Sequence, residues 1–224
     1  MHPTAVPLPW GSMRRATHVI WDWNGTLVDD VDAALVTINR LLQARELPAI
    51  DVAHYRSLFD FPIRVYYERL GFDLDDAGFA RACSEFLQHY GVLWPRCPLR
   101  EGAREVLQRL RARGVGQSIL SASQRDHLRT QAIHHGLHDA IEHWVGLDGI
   151  EAHGKVEEGR SWLADQGIAP DEVVLVGDTL HDLEVARALG VRCLLLAGGH
   201  QSEERLRASG NPVCRNLAEV SAAL

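Results

Sequence analysis

Apolar positions along the chain follow two different periods. Between about Asp30 and Pro98 they recur only at helical spacing: Leu35, Ile38, Leu41 and Leu42 in one stretch, and Phe79, Cys83, Phe86, Leu87 and Tyr90 in another. The pattern predicts helices over 31–46, 52–59, 63–70 and 75–94. Asp29 and Asp30 stand as N-caps of the first, which Pro48 closes; Pro62 opens the third and Gly71 ends it. Outside this interval, short apolar runs alternate with amphipathic stretches. Strands are predicted at Val19–Trp21, Gly116–Ser121, Ile141–Val145, Glu172–Gly177 and Val191–Leu196. Helices are predicted over 100–113, 125–135, 156–166, 182–189, 202–208 and 217–223. Such alternation implies βαβ units and a mainly parallel sheet, with an all-helical unit spliced in after the first strand.

Length and composition narrow the function. A chain of 224 residues can bury one large α/β core together with a smaller insertion. The formal net charge of -7 argues against a nucleic-acid or anionic-membrane partner and favours a small molecule. The four cysteines are scattered without a metal-binding spacing, which fits a reducing, cytoplasmic setting. No apolar run approaches the length of a membrane span. Residues 1–14, rich in proline, read as a flexible arm rather than a signal peptide. His134, His135 and His138 lie at a helix end without a fourth ligand and are assigned to structure, and the tryptophans to packing, with Trp23 close enough to Asp22 to shape a pocket.

The chemistry gathers at predicted strand ends, where an open parallel sheet binds its ligands. In H-V-I-W-D-W-N-G-T, Asp22 follows the first strand, placed as a nucleophilic carboxylate, with Gly25 letting the backbone approach a phosphate and Thr26 offering a hydroxyl. A turn-forming Asp before Gly accounts for that stretch equally well. Ser121 and Ala122 follow the second strand, where a hydroxyl and backbone N–H groups suit a phosphoryl oxygen. Lys155, at a helix start, can pair with both a carboxylate and a phosphoryl group. The run V-V-L-V-G-D-T-L-H-D delivers Asp178 and, four residues on, Asp182. Carboxylates so placed suit Mg²⁺, which takes one or two of them and a substrate phosphate.

The order of these motifs, D-W-N-G-T, Ser121, Lys155 and G-D-T-L-H-D, resembles the haloacid dehalogenase-like hydrolase superfamily from about Arg15 onward. The helical interval resembles that family's C1-type cap, and D-F-P-I followed by Y-Y-E-R-L-G-F-D is similar to phosphoglycolate phosphatase-like caps. The resemblance implies a Rossmann-like sheet of strand order 5-4-1-2-3, a core of residues 15–29 and 99–224, and a cap of 30–98. It also implies a Mg²⁺-dependent phosphoric monoester hydrolase acting on a small phosphorylated metabolite. Asp22 would be the nucleophile, and Asp22, the Asn24 carbonyl, Asp178 and Asp182 the metal ligands. Gly25, Thr26, Ser121, Ala122 and Lys155 would hold the phosphoryl group, and Arg56, Arg64, Tyr66 and Tyr67 would choose the substrate. The assembly expected is a monomer or homodimer.

Asn24 departs from the pattern, which has an aspartic acid there to protonate the leaving group and then to activate water. An amide orients water but exchanges no proton at neutral pH, and losing such help typically costs on the order of 10² to 10⁴ in rate. His181 and His200 are the candidate substitutes, although a structural role fits both better, His200 above all. The alternative function is a slow or inactive phosphatase-fold protein that acts by binding a phospho-ligand or by signalling.

Overall fold

The computed structural model describes residues 16–137, 139–147 and 155–224; the expected arm over 1–14, His138 and Gly154 lie outside the described residues. Six strands form one parallel sheet: β1 (His18–Trp21), β2 (Gly116–Gln124), β3 (His143–Leu147), β4 (Val173–Gly177), β5 (Arg192–Leu196) and β6 (Val213–Cys214). The order across the sheet is β3-β2-β1-β4-β5-β6. Read from the other edge, this is the expected 5-4-1-2-3, extended by β6, a strand too short for its period to show. β1 lies between β2 and β4, so the chain switches direction across the sheet at β1, and the carboxyl ends of β1, β2 and β4 lie side by side.

Successive residues of each strand face opposite sides, and both sides are covered. Val19 and Trp21 of β1 pack with Val174 and Val176 against α5 (Ala103–Ala112), α6 (Arg125–His134) and α10 (Leu217–Ala223). Ile20 packs with Leu175 and Leu195 against α7 (Lys155–Gln166), α8 (Leu180–Leu189) and α9 (Glu203–Ala208). That explains the nearly continuous apolar strands, since a parallel sheet covered on both faces has no polar side. Trp21 and Trp23 are fully buried, and the Trp23 ring packs on Trp144 and His135.

Between β1 and α5 lie four helices: α1 (Val31–Gln43), α2 (Val52–Leu58), α3 (Ile63–Arg69) and α4 (Asp76–Leu93). They enclose an apolar cluster of their own, with Ile38, Leu41, Leu42, Tyr55, Tyr66 and Tyr67 at its centre. Asp51 and Asp75 accept hydrogen bonds from the His54 and Gly78 amides and so cap α2 and α4. Asp30 departs from expectation. It precedes α1, but its side chain makes no cap hydrogen bond and turns inward instead. β2 also runs past Ser121 to Gln124, with a shift of register against β3 beyond Leu120. The irregularity places Ser121 to Ser123 on the rim of the cavity described next.

Candidate active site

The ends of β1 and β4 and the start of α7 bring Asp22, Asp178, Asp182 and Lys155 together. Ligand atoms of the three carboxylates lie within 4.8 Å of one another, and all three residues are buried. Lys155 Nζ donates to Asp22 Oδ1 in a very short contact and to Asp182 Oδ1 at 2.7 Å. Asp182 Oδ2 accepts from the Thr179 amide and hydroxyl, completing a capping box on α8. Asp178 Oδ1 accepts from Thr26 Oγ1 at 2.8 Å and Oδ2 from the His200 amide at 2.6 Å.

Small residues make this crowding possible. A Cβ on Gly177 would lie 2.2 Å from Asp182, and one on Gly25, at φ +74°, would lie 2.4 Å from Asp178. Burial is the chief cause that pushes the Asp22 carboxyl up to about 8; Asp182 and Asp178 add to it, and Lys155 opposes. Asp178 is raised as well, again chiefly by burial. Asp182 is held below its usual range despite burial, because Lys155 and Thr179 stabilise its charge. Lys155 is raised by the two carboxylates against the pull of burial. Three clustered acids, two of them paired with the one ammonium of Lys155, leave the cluster short of positive charge, and a divalent cation among oxygen donors answers that shortage. The three carboxylates supply oxygen donors for such an ion; both oxygens of Asp178 also accept hydrogen bonds, from Thr26 and His200, and both of Asp182 do so, from Lys155 and Thr179.

Next to this cluster is a network that sequence reasoning missed. Asp30 is buried, and its Oδ2 accepts from Asn24 Nδ2 at 2.8 Å and from Tyr90 Oη at 2.7 Å. Its Oδ1 accepts from the Gly25 amide at 2.8 Å and lies 3.3 Å from His200 Nε2. Asn24 Oδ1 accepts from Ser123 Oγ at 3.0 Å, so neighbours on both sides fix the amide's orientation. His200 Nδ1 lies 2.8 Å from Tyr55 Oη. Burial lowers His200, but Asp30 overcomes it and the ring is raised to about 9; Asp30 in turn is held low by His200 and its hydroxyl and amide donors despite its burial.

Several expected roles change. The Gly25 amide serves Asp30 and the Thr26 hydroxyl serves Asp178, so neither is offered to a phosphoryl group, and neither residue lines the cavity. Ser121, Ala122 and Lys155 do line it, with Asp22, Asn24 and Asp182. Tyr66 and Tyr67 line it too. Arg56 turns away to donate to the Gly198 and Gly199 carbonyls, and Arg64 to Asp76 and the Leu74 carbonyl. His181 stacks on Phe61 and faces Glu184, outside the cavity. His200, expected to be structural, is buried against Asp30 and Tyr55. The doublet Asp29-Asp30 was the available signal for the network, because a helix start uses one cap and the second acid is surplus.

The sequence matches the family described as haloacid dehalogenase-like hydrolase over residues 19–196, and the chain belongs to that family. Among curated proteins it is 26% identical over 191 residues to a phosphoglycolate phosphatase of Synechococcus elongatus, covering 85% of this chain and 88% of that protein. It is 27% identical over 215 residues to a 5'-nucleotidase of Pseudomonas aeruginosa, covering 92% and 94%. Among solved structures, a haloacid dehalogenase-like hydrolase from Streptococcus pneumoniae superposes with a TM-score of 0.80 at 19% identity, over 92% of this chain and 97% of that one, which is a likeness of fold. No helix among the described residues is long and apolar enough to cross a membrane.

Proposed function

We propose that this chain is a phosphatase: a Mg²⁺-dependent phosphoric monoester hydrolase of a small phosphorylated metabolite, with Asp22 as nucleophile and α1 to α4, within residues 30–98, as the cap over a core of 15–29 and 99–224. The observation that carries the reading is the buried Asp22 carboxylate, held by Lys155 beside Asp178 and lining a cavity. Asp22 attacks phosphorus in line; its oxygen bonds to phosphorus as the ester oxygen leaves and takes a proton from solvent. Water then attacks the aspartyl-phosphate and gives up a proton to solvent, releasing phosphate and restoring Asp22. Asp22, Asp178 and the Asn24 carbonyl would hold Mg²⁺, with Asp182 through a water; a cation there supplies charge neutralisation of the phosphoryl oxygens. Lys155, Ser121 and the Ala122 amide hold those oxygens and stabilise the charge that builds in flight. Asn24 positions water and leaving group, and passes no proton.

Asn24 also favours a second reading, a slow or inactive protein in which a bound phospho-ligand or a lingering aspartyl-phosphate is the output. One experiment separates the two: phosphate release from a panel of monoesters with Mg²⁺, run beside thermal melting with Mg²⁺ and beryllofluoride. Turnover that disappears in Asp22→Asn supports the phosphatase. A beryllofluoride-dependent rise in melting temperature without release from any ester selects the second reading, and turnover that survives Asp22→Asn defeats both.

A further inference from the structure

The cavity above Asp22 has a volume of about 610 Å³, and its walls and floor differ in chemistry. The floor is polar and acidic, with Asp22, Asn24, Asp30 and Asp182 around Lys155. The walls, from the helical segment, are apolar and largely aromatic: Phe59, Phe61, Ile63, Tyr66, Phe86 and Trp94. Among the described residues Lys155 is the only lysine or arginine that lines it, and Lys155 already pairs with two carboxylates. The arginines of the helical segment that come nearest are committed elsewhere. Arg45 pairs with Glu85, Arg56 binds the Gly198 and Gly199 carbonyls, Arg64 pairs with Asp76 and Arg69 with Asp60.

A monoester whose leaving group carries its own carboxylate or second phosphate brings an extra anion into this space. That anion would lie against aromatic walls, over a floor whose lysine and buried histidine, Lys155 and His200, are already paired with carboxylates. Desolvating an unpaired charge is the costliest thing a pocket can ask of a ligand. An uncharged aromatic group meets the opposite conditions, since ring faces and edges on the wall accept it with little desolvation cost. A cavity of this size also lies in the range that encloses ligands larger than a two-carbon acid.

Resting on the phosphatase reading, we propose that the substrate is the phosphate monoester of an uncharged, apolar or aromatic alcohol, and that carboxylate-bearing monoesters such as phosphoglycolate are excluded. Phe59, Phe61, Phe86 and Trp94 select the leaving group.

The test compares kcat/KM for benzyl phosphate, thymidine 5'-monophosphate and phosphoglycolate with Mg²⁺. Benzyl alcohol is no better a leaving group than glycolate, so that ratio reads the pocket and not the chemistry. The benzyl or nucleotide ester is expected to exceed phosphoglycolate by about tenfold or more, the size of one unpaired charge or lost apolar contact. Trp94→Arg, which places a cation in the wall, is expected to shift the ratio toward phosphoglycolate. Phosphoglycolate as the best substrate overturns the class and leaves the phosphatase reading standing. If no ester is turned over, the phosphatase reading fails instead, and thermal shifts with Mg²⁺ decide the class: a larger shift from benzylphosphonate supports it, and a larger shift from phosphonoacetate overturns it.

Discussion

Two clusters of buried charge touch beneath the helical segment, and their charges are balanced differently. Around Asp22, three carboxylates crowd together while Lys155 pairs with only two of them, Asp22 and Asp182, and burial holds both Asp22 and Asp178 toward their protonated forms. Around Asp30, one carboxylate faces one imidazolium, and the remaining oxygen positions are filled by Asn24, Tyr90 and the Gly25 amide. The first cluster is short of positive charge in the free protein and ready for a cation. The second is complete in itself. Burying a charge is tolerable when it is paired and fully hydrogen-bonded, and is a stored cost when it is not. The same fold therefore places a strained reactive site on a satisfied support.

Asp22→Asn draws the contrast most sharply. Phosphate release is expected to fall by roughly 10⁴-fold or more, the scale of losing a nucleophile. The urea midpoint at neutral pH should nevertheless hold or rise, because the folded state disfavours the charge being removed. A drop in midpoint would show that Asp22 supports the fold and that the two clusters are alike. Asp30→Ala should do the reverse. It strands a buried His200 imidazolium together with the Asn24 amide, the Gly25 N–H and the Tyr90 hydroxyl, and should cost about 3–5 kcal/mol of stability. A loss below about 1 kcal/mol in urea unfolding would mean that the network is not the support assigned to it.

The two clusters were also unequally legible in the sequence. Asp22, Asp178 and Lys155 each stand at a strand end or helix start, and the periods that mark the strands mark these positions with them. The sheet then fixes their proximity, since β1 pairs with β4 from His18↔Val173 to Trp21↔Val176. The Asp30 network has no such guide. Its members come from β1's loop, from α2 and α4, and from the loop after β5, and nothing local ties Tyr90 or His200 to Asp30. The partners of Arg56 and Arg64 are hidden for the same reason. Charge on a helix suggests contact with substrate, and only the packed structure shows Arg56 bonded to the loop after β5 and Arg64 to Asp76. Element boundaries moved by a few residues where a single glycine decided the matter: α5 begins at Ala103 because Gly102 lies at φ +81°.

Asn24→Asp tests whether the departure from the family pattern is a lost acid or an adapted support. The new carboxylate would stand where Nδ2 now donates to Asp30 at 2.8 Å, and a half-buried carboxylate that close to the buried Asp30 raises the pKa of one of the pair. The single variant should lose about 1–3 kcal/mol at neutral pH and recover part of it as pH falls and one acid takes up a proton. Asn24→Asp combined with Asp30→Asn restores a donor–acceptor pair in the opposite sense. It should regain stability and, with an acid–base group now in place, speed turnover by about 10²- to 10⁴-fold. If the single variant is both stable and fast, Asn24 and Asp30 are not coupled.

The smallest effect isolates the imidazolium. His200 is raised to about 9 in the folded protein, against 6.5 when unfolded. Between those values the folded state keeps a proton that the unfolded state has lost, so the stability from this group is full below about pH 6.5 and is lost as pH climbs through 9. The slope is at most about 1.4 kcal/mol per pH unit for a single proton. Asp22, raised to about 8, works in the same direction from its unfolded value upward, but it does so in any variant that leaves its surroundings intact. Asp30→Asn removes the charge that raises His200 and keeps the side chain's size. In metal-free buffer, the difference in urea stability between parent and Asp30→Asn should therefore be largest near pH 6.5 and shrink toward pH 9. A difference that stays constant across the window would show that Asp30 supports the site by hydrogen bonding alone, with His200 neutral beside it.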